Sequence, residues 1–111
     1  SWRSPAMGGV LGSCHALELG FVFGTNNVPG MGAFSGSGPA AEKLATGIQD
    51  AWLAFARSGD PSCQSLGIWS RYDSTWRATM NLGDPSKIEE SPRDEERRAW
   101  DEIPDRILGS L

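Results

Sequence analysis

Gly12-Ser13-Cys14-His15-Ala16-Leu17-Glu18-Leu19-Gly20-Phe21-Val22-Phe23-Gly24 holds the only histidine of the 111-residue chain. The residues before it are small and turn-forming: Pro5, Gly8, Gly9, Gly12 and Ser13. They describe a loop with unusual backbone needs, since glycine admits positive φ. Just past His15, Leu17, Leu19, Phe21 and Phe23 recur at every second position. That spacing predicts a short buried strand or an extended apolar turn. By composition alone, a lone histidine in a glycine-rich loop is an ordinary loop residue.

Working outward, residues 24–38 are rich in glycine and proline and read as a surface loop. Residues 39–57 carry the clearest periodicity. Ala41, Leu44, Ile48, Ala51, Trp52 and Phe55 make one apolar helical face, read as core packing. Pro39 suits the first turn, Glu42 the positive end of the helix dipole, and Gly59 with Pro61 the stop. Residues 76–82 alternate, with Trp76, Ala78, Met80 and Leu82 against Arg77, Thr79 and Asn81, as in a half-buried strand. Gly83-Asp84-Pro85 turns the chain, and Lys87–Glu90 returns as a weaker strand. Ser91 then reads as the N-cap of a helix with Pro92 at its first position. Ala99, Trp100 and Ile103 give that helix its apolar stripe. Pro104 ends it before a short amphipathic tail with Ile107, Leu108 and Leu111.

Composition excludes several functions. Hydrophobic residues at 39% and charged residues at 22% describe a folded chain of one small domain. A net charge of −4 offers no basic face for nucleic acid. Arg93, Arg97 and Arg98 sit among Asp94, Glu95, Glu96, Asp101 and Glu102, as paired residues on a helix surface. No apolar run approaches the ~20 residues of a membrane span. Cys14 and Cys63 fit no zinc spacing; free thiols are the better reading, with a disulfide left open. We expect no metal and no cofactor. The chain opens Ser1-Trp2-Arg3-Ser4-Pro5, without a leader pattern or a starting Met, which leads us to expect a missing upstream part. The long helix and the strand each have one apolar face, and little else in the chain can cover them. Burial against another chain is therefore expected, either the upstream part or copies of itself as a homo-oligomer.

The motif from Gly12 to Gly24 resembles the histidine motif of the type-B carboxylesterases, which include the bacterial para-nitrobenzyl esterases and the cholinesterases. His15, Glu18 and Phe21-Val22-Phe23-Gly24 match it. Trp2-Arg3-Ser4-Pro5 resembles the strand end leading into that loop. Ala51-Trp52 with Phe55-Ala56-Arg57-Ser58-Gly59-Asp60-Pro61 resembles the long helix and its stop. Trp69, Tyr72 and Arg77-Ala78-Thr79-Met80 resemble the terminal hairpin, and Arg97 with Trp100 the last helix. The similarity runs over nearly the whole chain in the right order. One departure is Gly20, where the family usually has proline; we expect it to loosen the backbone past His15.

The resemblance implies an α/β class: the C-terminal segment of an α/β-hydrolase fold, by itself mainly helical with a short β-hairpin. The parts would be a histidine loop at 1–38, a long helix at 39–60, a hairpin at 76–90 and a C-terminal helix at 91–111. It implies that His15 is the general base of a Ser–acid–His triad acting on small carboxylic esters. Imidazole suits that work because its unperturbed pKa lies near ~6.5. The other two members are expected upstream. No Gly-x-Ser-x-Gly elbow occurs, since Phe34-Ser35-Gly36-Ser37-Gly38 does not fit, and there is no His-Gly-Gly-Gly oxyanion stretch. Glu18 reads as structural rather than as the triad acid. Cys14 and His15, being adjacent, are a poor nucleophile–base pair. The competing reading is a non-catalytic, self-associating module that kept the fold elements and lost the chemistry. The compartment, cytoplasmic or secreted, is left open.

Overall fold

The long helix organises the chain. In this computed structural model, which describes residues 1–104, 107 and 109, helix α3 spans Pro39–Ser58. Pro39 pre-sets the first turn and Glu42 lies near its positive end. Gly59 closes it in the left-handed region, its N–H donating to Phe55 O at 2.8 Å. Ala41, Leu44, Ala45, Ile48 and Ala51 are buried along one face. Trp52 and Phe55, expected in the core on the same stripe, are 61% and 59% exposed. The correction has a simple cause. The buried face ends at Ala51, and Trp52 and Phe55 beyond it lie at the open surface.

Preceding α3 are two short helices, α1 (Leu19–Val22) and α2 (Gly32–Ser35), and a 3-10 turn at Ala6–Gly9. Helix α1 replaces the predicted strand or extended turn. Val22 N–H donates to Glu18 O (2.9 Å) and Phe23 N–H to Leu19 O (3.1 Å). A period of two contains a period of four, so one run of apolar residues fits both structures. Here Leu17 and Phe21 face the core, while Leu19 and Phe23 face outward. Nor is the segment 24–38 all surface, because Asn26, Ser35 and Gly36 are buried. Gly20, expected to loosen the backbone past His15, stands inside a helix. It is buried in α1, and a methyl group there would sit 3.1 Å from Ser35 Oγ.

The hairpin pairs β1 (Thr79–Asn81) antiparallel with β2 (Lys87–Glu89), Met80 opposite Ile88. The predicted strand is trimmed at its start because Asp73 holds a turn. Its carboxylate accepts from the amides of Thr75 (2.8 Å) and Trp76 (2.7 Å), and its carbonyl from Arg77 N–H. Trp76 is left exposed. Helix α4 runs Asp94–Asp101, later than Ser91 and Pro92 suggested. Ser91 instead places its amide on Trp76 O at 3.1 Å, and Arg93, at φ 58°, precedes the first helical residue. Ala99 and Trp100 are exposed and Ile103 is half-buried. Of the predicted tail, Leu108 and Leu111 lie outside the described residues.

The core is small: Leu17, Phe21, Ala41, Leu44, Ala45 and Ile48, flanked by Trp2, Cys14, Val22, Phe34 and Leu82. Trp2 sets its ring edge-on to Phe21, with centroids 5.6 Å apart, and its indole N–H donates to Ser35 O at 2.7 Å. Both cysteines are free. Among the described residues, no helix is long and apolar enough to cross a membrane.

Two predictions follow from this packing. Gly36 adopts φ 94° and ψ 159°, a region essentially reserved for glycine, and a methyl there would lie 2.9 Å from the Trp2 ring. Gly36→Ala should cost about 2 kcal/mol or more in urea unfolding. Gly30→Ala, at φ 88° with open space around it, should cost only about 1 kcal/mol. Equal losses for the two would refute the Trp2 contact as a constraint.

On α4, Asp94 accepts from Arg97 and Arg98, each at 2.8 Å, and Arg97 also reaches Asp101. The Arg97 hydrogen bond, helped by the nearby arginine charges, holds the Asp94 carboxyl below the ordinary aspartate value of 3.8. A depressed folded-state pKa means stabilisation that is complete above the unfolded value and lost as acid protonates the carboxylate. As pH falls below 3.8, the helical carbon shifts of Arg97 and Arg98 should retreat toward coil values. Asp94→Asn should show weakened helix already at neutral pH and no such acid step. Shifts that stay helical throughout the titration would disprove the link.

Candidate active site

His15 stands on a turn pinned at both ends. Cys14 packs against the core on one side and Leu17 is buried in it on the other. Leu17 N–H donates to Cys14 O at 3.4 Å across the turn. Ala16 holds φ 63°, an unusual value for a residue with a Cβ. With its neighbours drawn inward, the His15 side chain is left exposed.

Before the turn, two hydrogen bonds close the loop. Ser4 N–H donates to Gly12 O at 2.9 Å, and Ser13 Oγ donates to Trp2 O at 2.5 Å. Ser4 itself is buried, its hydroxyl donating to Phe34 O at 2.5 Å. After the turn, Gln49 of α3 donates from Nε2 to Phe21 O at 3.0 Å, tying α1 to the long helix. Sequence reasoning missed Ser13 and Gln49. A small hydroxyl in a glycine-rich loop and a glutamine on a helix flank carry no signal until the fold juxtaposes them with a carbonyl.

No described residue completes the chemistry. The His15 imidazole makes no hydrogen bond among the described residues, so neither Glu18 nor Cys14 is paired with it. Ser35 is fully buried and spends its hydroxyl on Met31 O at 2.9 Å. Among the described residues, no group of three or more His, Cys, Asp or Glu side chains converges as for a metal. A shallow, mainly apolar cleft of about 180 Å³ runs beside the turn, lined by Ser13, Cys14, Leu17, Glu18 and Phe21 among others. A larger hollow of about 600 Å³ lies between the end of α3 and the segment that follows it, lined by Phe55, Trp69 and Tyr72. His15 is not part of its wall. What the site offers is one outward imidazole on a fixed backbone, able to accept and return a proton.

Comparison with known proteins places this geometry. The family model described as Carboxylesterase family matches residues 1–100. Para-nitrobenzyl esterase of Bacillus subtilis (strain 168) is 37% identical over 86 residues, which cover 76% of this chain and 17% of that protein. Phenmedipham hydrolase of Pseudarthrobacter oxydans is 31% identical over 83 residues, covering 73% of this chain and 17% of that protein. This chain thus spans less than a fifth of either relative's length. Among solved structures, a Geobacillus stearothermophilus carboxylesterase superposes with a TM-score of 0.73 at 38% identity, covering 90% of this chain and 20% of that one. A PNB esterase superposes with a TM-score of 0.67 at 33% identity, covering 78% and 17% respectively. These neighbours are α/β-hydrolase esterases, and the four helices and single hairpin described here correspond to a part of that fold. The chain therefore belongs to the carboxylesterase family.

Proposed function

We propose that this chain is the C-terminal part of a serine carboxylesterase, in which His15 is the general base for hydrolysis of small carboxylic esters. The serine nucleophile, the triad acid and the oxyanion hole come from an upstream segment of the same family. The carrying observation is the pinned turn that presents His15 outward without a partner of its own.

The chemistry follows from the imidazole. Its unprotonated nitrogen takes the serine proton as the hydroxyl attacks the ester carbonyl, and the imidazolium then protonates the departing alcohol. Water repeats the cycle against the acyl-serine, and the ring again takes and returns one proton. The other ring nitrogen donates to the acid, which fixes the tautomer. No cofactor enters any step. With one triad member in three, the chain alone gives at most trace hydrolysis.

The exposed aromatics favour a partner. Trp52, Phe55, Tyr72, Trp76 and Trp100 all lie on the surface of the isolated chain. The upstream segment is the cover we propose. Copies of this chain would be the cover in the alternative, non-catalytic reading, which light scattering at rising concentration would reveal as a stable oligomer.

The test joins this chain, in frame, to the part of the Bacillus subtilis para-nitrobenzyl esterase that precedes its matched residues. The joined protein should hydrolyse a short-chain nitrophenyl ester, and His15→Ala should lower kcat by about 10⁴-fold or more. A folded joined protein whose activity survives that substitution, or that has none to lose, would contradict the assignment.

A further inference from the structure

We infer that Ser13 is the positioning residue of this site: its hydroxyl, anchored on the Trp2 carbonyl, sets where the imidazole of His15 stands. The inference rests on the reading of His15 as the base and adds a residue to it.

The loop before His15 has two arms, Ser1–Ser4 and Gly12–Ser13. Two hydrogen bonds to backbone carbonyls join them, Ser4 N–H to Gly12 O and Ser13 Oγ–H to Trp2 O, with the Ser1 and Ser13 hydroxyls paired beside them. The first leaves the chain at Gly12, a glycine at φ 58°, where the backbone has its greatest freedom. The second acts past that hinge. It is the last tether before the turn, two residues from His15.

Its acceptor is fixed from three directions. Trp2 N–H donates to Leu82 O at 3.0 Å, its indole N–H to Ser35 O, and its ring packs edge-on against Phe21. Ser13 therefore binds to a carbonyl that hairpin, α1 and α2 all hold still. The hydroxyl has one proton, which goes to Trp2 O. Ser1 Oγ, 3.0 Å away, must then be the donor to Ser13 Oγ, and the two form a directed chain. A serine in a loop needs no such arrangement to be soluble. The arrangement gives direction to the backbone leaving toward His15.

The energetic reason lies in proton transfer. A base works only within hydrogen-bond reach of the proton it takes, and a misplacement of about 1 Å can cost 10²-fold in rate. The tether is solvent-exposed, so water can satisfy the Trp2 carbonyl when the hydroxyl is removed. Loss of Ser13 should then loosen the turn without unfolding the chain.

Two measurements test this. In the joined enzyme, Ser13→Ala should lower kcat by about tenfold or more with KM within about twofold, while Ser13→Thr, which keeps the hydroxyl, stays near the parent. The burst of nitrophenol should count the same number of active sites in all three, which separates misplacement from unfolding. In the 111-residue chain itself, backbone order parameters at residues 14–16 should fall from about 0.85 to below about 0.6 in Ser13→Ala and recover in Ser13→Thr. The chain has one histidine, so its ring signals report on this turn alone. Unchanged order parameters in Ser13→Ala, or equal impairment by alanine and threonine, would overturn the inference. The order-parameter result does not depend on catalysis. It therefore stands apart from a failure of the His15 reading, which would show as an active His15→Ala enzyme.

Discussion

Trp2 is the residue on which the arrangement of this chain turns. It lies near the start of the sequence, yet it touches every part that matters to the site. Its amide reaches the end of β1 at Leu82 and its indole reaches the last residue of α2. Its ring lies against Phe21 of α1 and over Gly36, and its carbonyl receives Ser13. Edge-to-face aromatic packing and a satisfied indole donor both demand particular geometry, where a plain aliphatic residue would demand only burial. The contact with Gly36 shows the demand from the other side. The backbone there takes a conformation only glycine tolerates, so that the indole can lie against it.

What was legible in the sequence follows from how strong each local signal was. The long helix announced itself because proline, glutamate and glycine mark its ends and its apolar residues recur over about four turns. Its far half misled for a physical reason: periodicity reports which residues share a face, not whether anything covers that face. The run from Leu17 to Phe23 misled because alternate spacing in seven residues fits two backbones. The choice was made by tertiary contacts, Phe21 against Trp2 and the Phe21 carbonyl against Gln49, that no local pattern encodes. The start of the hairpin was lost to Asp73, whose carboxylate captures two amides that the strand would have needed. At the last helix, Ser91 turns both its amide and its hydroxyl to Trp76 O and caps nothing. The carboxylesterase family was legible through the motif that flanks His15. The tether beside it was not, since a serine says nothing about which distant carbonyl it will meet.

Several aromatic side chains lie exposed, and one buried polar group goes unpaired among the described residues. The aromatic stripe of α3 continues past the last residue that packs on it, and Trp76 and Trp100 add further apolar area near the hairpin and α4. Domains of this size bury a smaller share of their surface than large ones do, yet rarely leave several tryptophans bare without a partner. Within the core, the Asn26 amide Nδ2 is buried with no hydrogen-bond partner among the described residues. Buried polar groups are nearly always satisfied, so an unpaired amide is a local cost the rest of the packing has to carry. By contrast, α4 is finished electrostatically. Its acids crowd the first turn and its arginines answer them three and four residues on, an arrangement that suits a solvated face.

The turn at His15 stores a small strain where the backbone needs to be definite. Ala16 in the left-handed region costs about 1 kcal/mol relative to an ordinary conformation, and it persists because Cys14 and Leu17 are both drawn into the core. Leu17 shares the buried cluster with Phe21 and Leu44, and burying a leucine outweighs a strain of that size. The same trade leaves the imidazole exposed, since the residues on either side have taken the inward positions. An exposed histidine is normally a mobile one. Here the Cα that carries the ring lies between Cys14 and Leu17, both packed in the core, and two residues from the Ser13 hydrogen bond to Trp2 O. Such a mount would suit the role proposed for His15. In that proposed role the backbone would set the approach, and the upstream groups would impose the final alignment.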